Sequence, residues 1–321
     1  MTDISYVQSA VIGLLQGATE LFPVSSLGHS VLVPALIGGS WKHLVTESST
    51  GASGQSPYLA FIVALHVATA VALLVFFRSD WVRLIRAFIT TLSTRKVQTS
   101  EQRLAWLIIV ATIPVGLTGL LLEHTFRTLF AKPLAAAIFL TVNGAILLAG
   151  ERLRRQSQTR TGAGEAATGR VGRVGGNRAG GSRHAGLVVD SHRTLAAFAY
   201  REAAVIGLFQ TLALLAGISR SGITMVAGLV RGLDHEDAAR FSFLLATPVI
   251  LAAGVLKLPS LAGAQGAHIR GQVIVGMLVA GAAAYLSLRF LVRYFQTRTL
   301  TPFAIYSLVA GAACTLRFAI G

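Results

Sequence analysis

Two stretches of this chain are copies of one another, and the number of apolar segments between them restricts the fold more than any other feature. Residues 10–28 read AVIGLLQGATELFPVSSLG and residues 204–222 read AVIGLFQTLALLAGISRSG. At a constant offset of 194, nine of nineteen positions are identical, among them Gln16 and Gln210, Ser25 and Ser219, and Gly28 and Gly222, which makes an internal repeat. Three apolar runs, 58–77, 104–122 and 134–150, separate the copies, and three more, 241–258, 273–295 and 302–320, follow the second. These runs approach the ~20 residues needed to cross a ~30 Å hydrocarbon core. With 53% hydrophobic and 13% charged residues, the chain reads as an all-α polytopic membrane protein.

Within the first copy, Gln16, Glu20, Ser25, Ser26 and His29 sit in apolar surroundings. Burying such groups without partners costs roughly 2–7 kcal/mol each, so they are candidates for function. Gln16 and Glu20, four apart, share a helix face, and Pro23 disfavours continuing that helix. Ser25 or Ser26 can cap a second helix from about Leu27. The pattern predicts helix, break, helix over 4–37, and the same over 200–231, where Gly217 permits the tight turn that Pro23 makes in the first copy. If both hairpins enter the membrane and turn back, the odd number of crossings between them inverts the second copy. Each half, 1–150 and 194–321, is then a re-entrant hairpin plus three transmembrane helices, and inverted repeats of this kind place their site near the midplane.

The net charge of +15 follows the positive-inside rule rather than nucleic-acid binding. The basic residues of 78–103, of a 151–193 Arg/Gly linker, of Arg231 and Arg240, and of Arg289, Arg293 and Arg298 fall on one side, predicted to be cytoplasmic. Both termini then lie on the other. The linker composition predicts a flexible connector near anionic headgroups. An acid and no basic residue near the N-terminus argue against a cleaved signal peptide. Cys314, the single cysteine, allows no intrachain disulfide and reads as a small buried hydrophobe.

The two copies are chemically complementary. The first offers a carboxylate, hydroxyls and an imidazole. The second, with Leu214 in place of the acid, offers Ser219, Arg220, Ser221 and Thr224, and a guanidinium can hold a phosphate bidentately. Attack on a phosphate ester or anhydride needs a base, a hydroxyl or water, positive charge and amide donors. Glu20, Ser26, His29 and Arg220 supply them. Ser25, Gly28, Gly217, Ser219, Ser221 and Thr224 are the expected phosphate-binding positions around the helix N-termini.

The segments QGATELFPVSSLGH (16–29), AGISRSGIT (216–224) and EDAARFSFLLATPVILAAG (236–254) resemble the bacterial undecaprenyl-diphosphate phosphatase family, also called the bacitracin-resistance protein. The resemblance implies a multi-pass inner-membrane hydrolase converting undecaprenyl diphosphate to the monophosphate and inorganic phosphate. It implies Ser26 as nucleophile with Glu20, His29 and Arg220, a divalent cation (Mg or Ca) at Gln16 and Glu20, no organic cofactor, and a site opening to the periplasmic or outer face. Expected partners are a polyprenyl diphosphate and membrane lipids, with no nucleic acid; a homodimer stays open. The alternative is an inverted-repeat transporter or flippase for an anionic or polyprenyl-phosphate substrate.

Other polar residues read more plainly. His66, inside the first span, either lines the site or packs against a neighbouring helix, with packing the favoured reading. Asn143 and Gln210 read as interhelical hydrogen-bonders, and Asp234 and His235 as an exposed turn. Trp41, Tyr58 and Trp81 sit where aromatic belts are expected.

Overall fold

A computed structural model describes residues 4–42, 44, 57–122, 132–168, 198–262 and 269–320, which are helical apart from short connections. The helices are α1 (Tyr6–Thr19), α2 (Ser26–Ile37), α3 (Pro57–Phe76), α4 (Arg78–Thr94), α5 (Ser100–Leu121), α6 (Pro133–Thr168), α7 (Tyr200–Thr211), α8 (Arg220–Val230), α9 (His235–Ala262), α10 (Arg270–Tyr294) and α11 (Thr301–Ile320). Local chemistry sets several starts. Ser5 with Gln8, and Thr99 with Gln102, form capping boxes on α1 and α5. Pro57 and Pro133 each occupy a first helical position, where the missing N–H is harmless.

Helices α5, α6, α9, α10 and α11 are each long and apolar enough to cross a membrane. Helix α3 adds 20 residues without a charged side chain, about 30 Å of helix. The chain is therefore a polytopic membrane protein. By contrast α2 and α8, with 12 and 11 residues, reach only about 16–18 Å and fall short of a crossing.

The repeat is visible in the packing. Helix α1 packs along α10 and its copy α7 along α5, while α6 pairs with α11 and α3 with α9. Gly13 and Gly207, equivalent in the two copies, make the first two pairings close. A Cβ on Gly13 would strike the Gly276 carbonyl, and one on Gly207 the Ala111 carbonyl and Pro114 Cδ. Small residues at such crossings let helices approach through van der Waals contact where lipid removes the hydrophobic drive. Buried Leu21, Leu73, Leu107, Phe241 and Phe243 belong to the larger core between the halves.

Several expectations change. Within the basic segment 78–103, residues 78–94 form α4, bent by 86° from α3. The linker does not begin at 151, because α6 continues to Thr168, and Glu151 is buried, accepting from His235 Nε2 at 2.6 Å and from the Leu300 amide at 2.7 Å. His235 is thus not exposed; it is held between Glu151 and Arg154. Asp234 is exposed, and its carboxylate accepts the Asp237 amide at the start of α9. Tyr58 is also buried, its hydroxyl donating to the Ser30 carbonyl at 2.8 Å. Trp41 and Trp81 are partly buried against the cores, and Cys314 is only partly buried. The remainder of the predicted linker, 169–193, together with 194–197, 45–56, 123–131 and 263–268, lies outside the described residues.

Candidate active site

The breaks in the two repeats meet. Ser25 caps α2 and Ser219 caps α8, each Oγ accepting the amide three residues on, Gly28 at 3.2 Å and Gly222 at 3.1 Å. Of the two serines considered as caps, Ser25 takes the role and Ser26 becomes the first helical residue. Ser25 Oγ also accepts the Gly217 amide of the other turn at 3.1 Å. To do so Ser25 adopts φ 68°, ψ 98°, a conformation costing of order 1–3 kcal/mol outside glycine. Gly217 sits at φ 112°, where a Cβ would strike the Ala136 carbonyl, so only glycine fits this turn. Asn143 of α6 ties both breaks to the bundle. Its amide donates to the Pro23 carbonyl at 3.0 Å and to Ser307 Oγ at 3.2 Å, and its oxygen accepts the Ser219 amide at 2.9 Å.

Glu20 lies between the turns at the end of α1 and is 7% exposed. One carboxylate oxygen accepts from Ser26 Oγ and from Gln16 Nε2, the latter at 2.8 Å, and the other accepts from Arg220 Nη2. The Arg220–Glu20 pair joins residues 200 positions apart. In an apolar interior such a pair persists only when the remaining lone pairs and protons are satisfied or face a ligand. Here Arg220 Nη1 and Gln16 Oε1 are buried without a partner.

A cavity of about 390 Å³ opens from this cluster. Glu20, Ser25, Ser26, His66, Ser219 and Arg220 line it, and its walls are largely apolar, from Val63 of α3, Val115 and Leu120 of α5, and Val249, Ile250 and Leu256 of α9. The first amides of α2 and α8 have no intrahelical acceptor, so two helix N-termini converge on one polar cluster.

His66 takes the less favoured of its two expected places. Rather than packing, it faces the cavity, its Nε2 3.3 Å from Glu20 Oε2 and its Nδ1 donating to the Ile62 carbonyl at 2.8 Å. The available signal was a lone imidazole inside an uncharged span. His29 does the reverse. Its Nδ1 donates to the Ser25 carbonyl and its Nε2 accepts from the Tyr306 hydroxyl, both at 2.7 Å, with the two rings stacked. A carbonyl can only accept, so this pairing fixes the tautomer and leaves His29 no nitrogen for Ser26. Lying one turn beyond Ser25 on α2, the ring is drawn to that carbonyl and to α11, outside the cavity lining.

The expected phosphate-binding residues divide similarly. Ser25 and Ser219 line the cavity, whereas Gly28, Gly217, Ser221 and Thr224 do not. Ser221 Oγ donates to the Phe22 carbonyl at 3.2 Å, and Thr224 Oγ1 to the Arg220 carbonyl at 2.8 Å. Gly28 packs directly on Gly217, a Cβ on it meeting Gly217 Cα at 3.0 Å. These four brace the turns. Asn143 and Gln210 behave as interhelical hydrogen-bonders, Gln210 Nε2 reaching the Ala111 carbonyl at 3.4 Å.

Among the described residues no group of three or more His, Cys, Asp or Glu side chains is placed to hold a metal ion. The Glu20 oxygens already accept from Ser26, Gln16 and Arg220, and of the two buried amide oxygens without a partner, Gln16 Oε1 and Gln210 Oε1, only Gln210 belongs to a residue that lines the cavity.

The family model described as bacitracin resistance protein BacA matches residues 9–313. The chain belongs to the BacA family. It is 70% identical to undecaprenyl-diphosphatase 2 of Frankia alni over the whole of both chains. It is 56% identical to the undecaprenyl-diphosphatase of Mycolicibacterium paratuberculosis, covering 99% of this chain and 98% of that one. A more distant BacA relative, undecaprenyl-diphosphatase 2 of Burkholderia orbicola, is 40% identical over 94% of this chain and 93% of its own length.

Proposed function

We infer that this BacA-family protein is an undecaprenyl-diphosphatase. It hydrolyses undecaprenyl diphosphate to undecaprenyl phosphate and inorganic phosphate, recycling the lipid carrier of cell-wall synthesis and conferring bacitracin resistance. The observation that carries this reading is a serine hydroxyl bonded to a buried carboxylate that also holds an arginine, at the polar end of an apolar cavity. A diphosphate on a polyprenyl tail has that same division between a charged head and an apolar body.

The contacts support a mechanism through a phosphoserine. Ser26 Oγ attacks the terminal phosphorus and gives its proton to Glu20, the acceptor it already faces. The bond from that phosphorus to the bridging oxygen breaks, and undecaprenyl phosphate leaves. Arg220, with Nη1 free and Nη2 on Glu20, stabilises the oxygens of the transferring group, assisted by the amides opening α2 and α8. Glu20 passes the serine proton to the departing bridging oxygen; water then attacks the phosphoserine, gives a proton to the freed Glu20 carboxylate, and that proton returns to Ser26 Oγ as the bond from Oγ to phosphorus breaks. Inorganic phosphate departs and Ser26 is restored. As an imidazolium, with Nδ1 on the Ile62 carbonyl and Nε2 toward the Glu20 oxygen that faces Ser26, His66 keeps that oxygen aimed. A divalent cation would be held by Glu20 together with diphosphate oxygens, and when bound it would neutralise phosphate charge.

The two halves are read as inverted repeats with re-entrant hairpins α1–α2 and α7–α8. Equivalent caps, equivalent glycine crossings and helices too short to cross support this. The cavity is read as opening to the periplasmic face of the inner membrane. It uses Val115 and Leu120, far along α5 from its basic start, and Val249 to Leu256, far along α9 from Arg231 and Arg240. The open end therefore lies away from the segments that the positive-inside rule assigns to the cytoplasm.

Phosphate release from undecaprenyl diphosphate by the purified protein in detergent tests the reading, with and without a chelator and added Mg or Ca. Release that is lost in Ser26→Ala is expected. No release from the native protein under any cation condition would overturn the phosphatase reading in favour of lipid transport.

A further inference from the structure

Helix α4 takes no part in the site, and its surface divides into three sectors. At about 100° per residue, Asp80, Leu84 and Thr91 share one face and are buried, with Phe88 meeting Trp106 of α5 edge-on at 5.3 Å. The next sector carries Val82, Ile85, Ile89 and Leu92, between 45% and 55% exposed. The third carries Arg83, Arg86, Thr90 and Ser93, all exposed. A helix beside a soluble core needs two sectors, one for the core and one for water. The third, apolar and uncovered, calls for a different medium.

Two further observations identify it. Helix α4 leaves the membrane-crossing α3 at 86°, which lays it along the plane of the bilayer where α3 ends. Its charge is one-sided: Arg78, Arg83 and Arg86, followed by Arg95 and Lys96, face a single acid, Asp80, which is buried and accepts from both Arg83 and Arg240. We propose that α4 is an interfacial helix that binds anionic phospholipid. Val82, Ile85, Ile89 and Leu92 sit at the acyl boundary, and the arginines sit at headgroup phosphates of the leaflet on the basic, cytoplasmic side. A helix with one apolar and one basic free sector binds membranes through both terms, the buried apolar area and the attraction to anionic headgroups. This inference uses none of the catalytic residues and stands apart from the phosphatase reading.

The test uses full-length protein carrying Cys314→Ser, with single cysteines at positions 82, 85, 89, 92, 90 and 93, spin-labelled and reconstituted in phosphatidylcholine vesicles with and without phosphatidylglycerol. The ratio of oxygen to nickel-chelate accessibility is expected to be several-fold higher at 82, 85, 89 and 92 than at 90 and 93. Phosphatidylglycerol is expected to slow the label at 93, and Arg83→Gln with Arg86→Gln should abolish that slowing. Equal ratios at all six positions would place α4 in water, and protection of the stripe from both reagents would mean a protein covers it. Either result overturns the proposal, as does an unchanged label at 93 when phosphatidylglycerol is added.

Discussion

The turn after α1 and the turn after α7 began as one sequence and now do different work. Positions that hold the turn in place kept both residue and task. Ser25 and Ser219 cap their helices in the same way, and Gly13 and Gly207 bring their helices against a neighbour's backbone. Positions that face the other turn diverged. Glu20 corresponds to Leu214, Ser26 to Arg220, and Pro23 to Gly217. Two identical turns would bring like charges together, whether two carboxylates or two guanidiniums; divergence gave the carboxylate and second hydroxyl to one and the guanidinium to the other.

The helices behind the turns show a second asymmetry. On the first copy's side α10 packs closely along α3, and a Cβ on Gly276 would meet Leu65 and Phe61 side chains at 2.9 Å. On the second copy's side the corresponding helices α5 and α9 stand apart, and a Cβ on Gly116 of α5 would meet nothing within 4 Å. The space between them is the cavity. One repeat interface is closed by packing and the other leaves a cavity.

These contrasts can be broken in order of expected effect. Ser26→Ala should lower phosphate release by roughly 10³-fold or more in steady-state assays, while Ser219→Ala, which alters a cap in the other turn, should leave most of the activity. Glu20→Gln should reduce kcat by about 10²–10⁴-fold, and Arg220→Lys by about 10²-fold, since an ammonium cannot make the guanidinium's paired contacts. His66→Ala should lower kcat further than His29→Ala does, because only His66 touches Glu20; the reverse order would reinstate His29 as the working imidazole.

Smaller effects test the helix packing. Gly116→Leu should raise KM for the long-chain lipid several-fold and spare a short-chain diphosphate, with an unchanged thermal midpoint in detergent. Gly276→Leu should instead lower that midpoint, as overpacking costs about 1–3 kcal/mol. Ser219→Ala should cost about 1 kcal/mol of stability, and Ser25→Ala more, since Ser25 Oγ holds an amide from each turn.

The sequence alone determined the membrane class, the repeat and the two breaks, because each is written in local composition or in spacing along one helix; it named Glu20, Ser26 and Arg220 as candidates, and the tertiary structure brought them together across 200 positions. Buried polar residues in apolar runs announce themselves through the energy needed to keep them there. Only the tertiary structure decided which imidazole joins the site. His29 is three residues from Ser26 but is claimed by Ser25 and Tyr306, while His66, 46 positions from Glu20 by number, arrives on another helix. The burial of His235 was equally out of reach, since its partner Glu151 lies 84 residues away. Periodicity reports which face of a helix is apolar; what stands opposite a polar side chain is set by how helices cross, and that is a property of the assembled bundle.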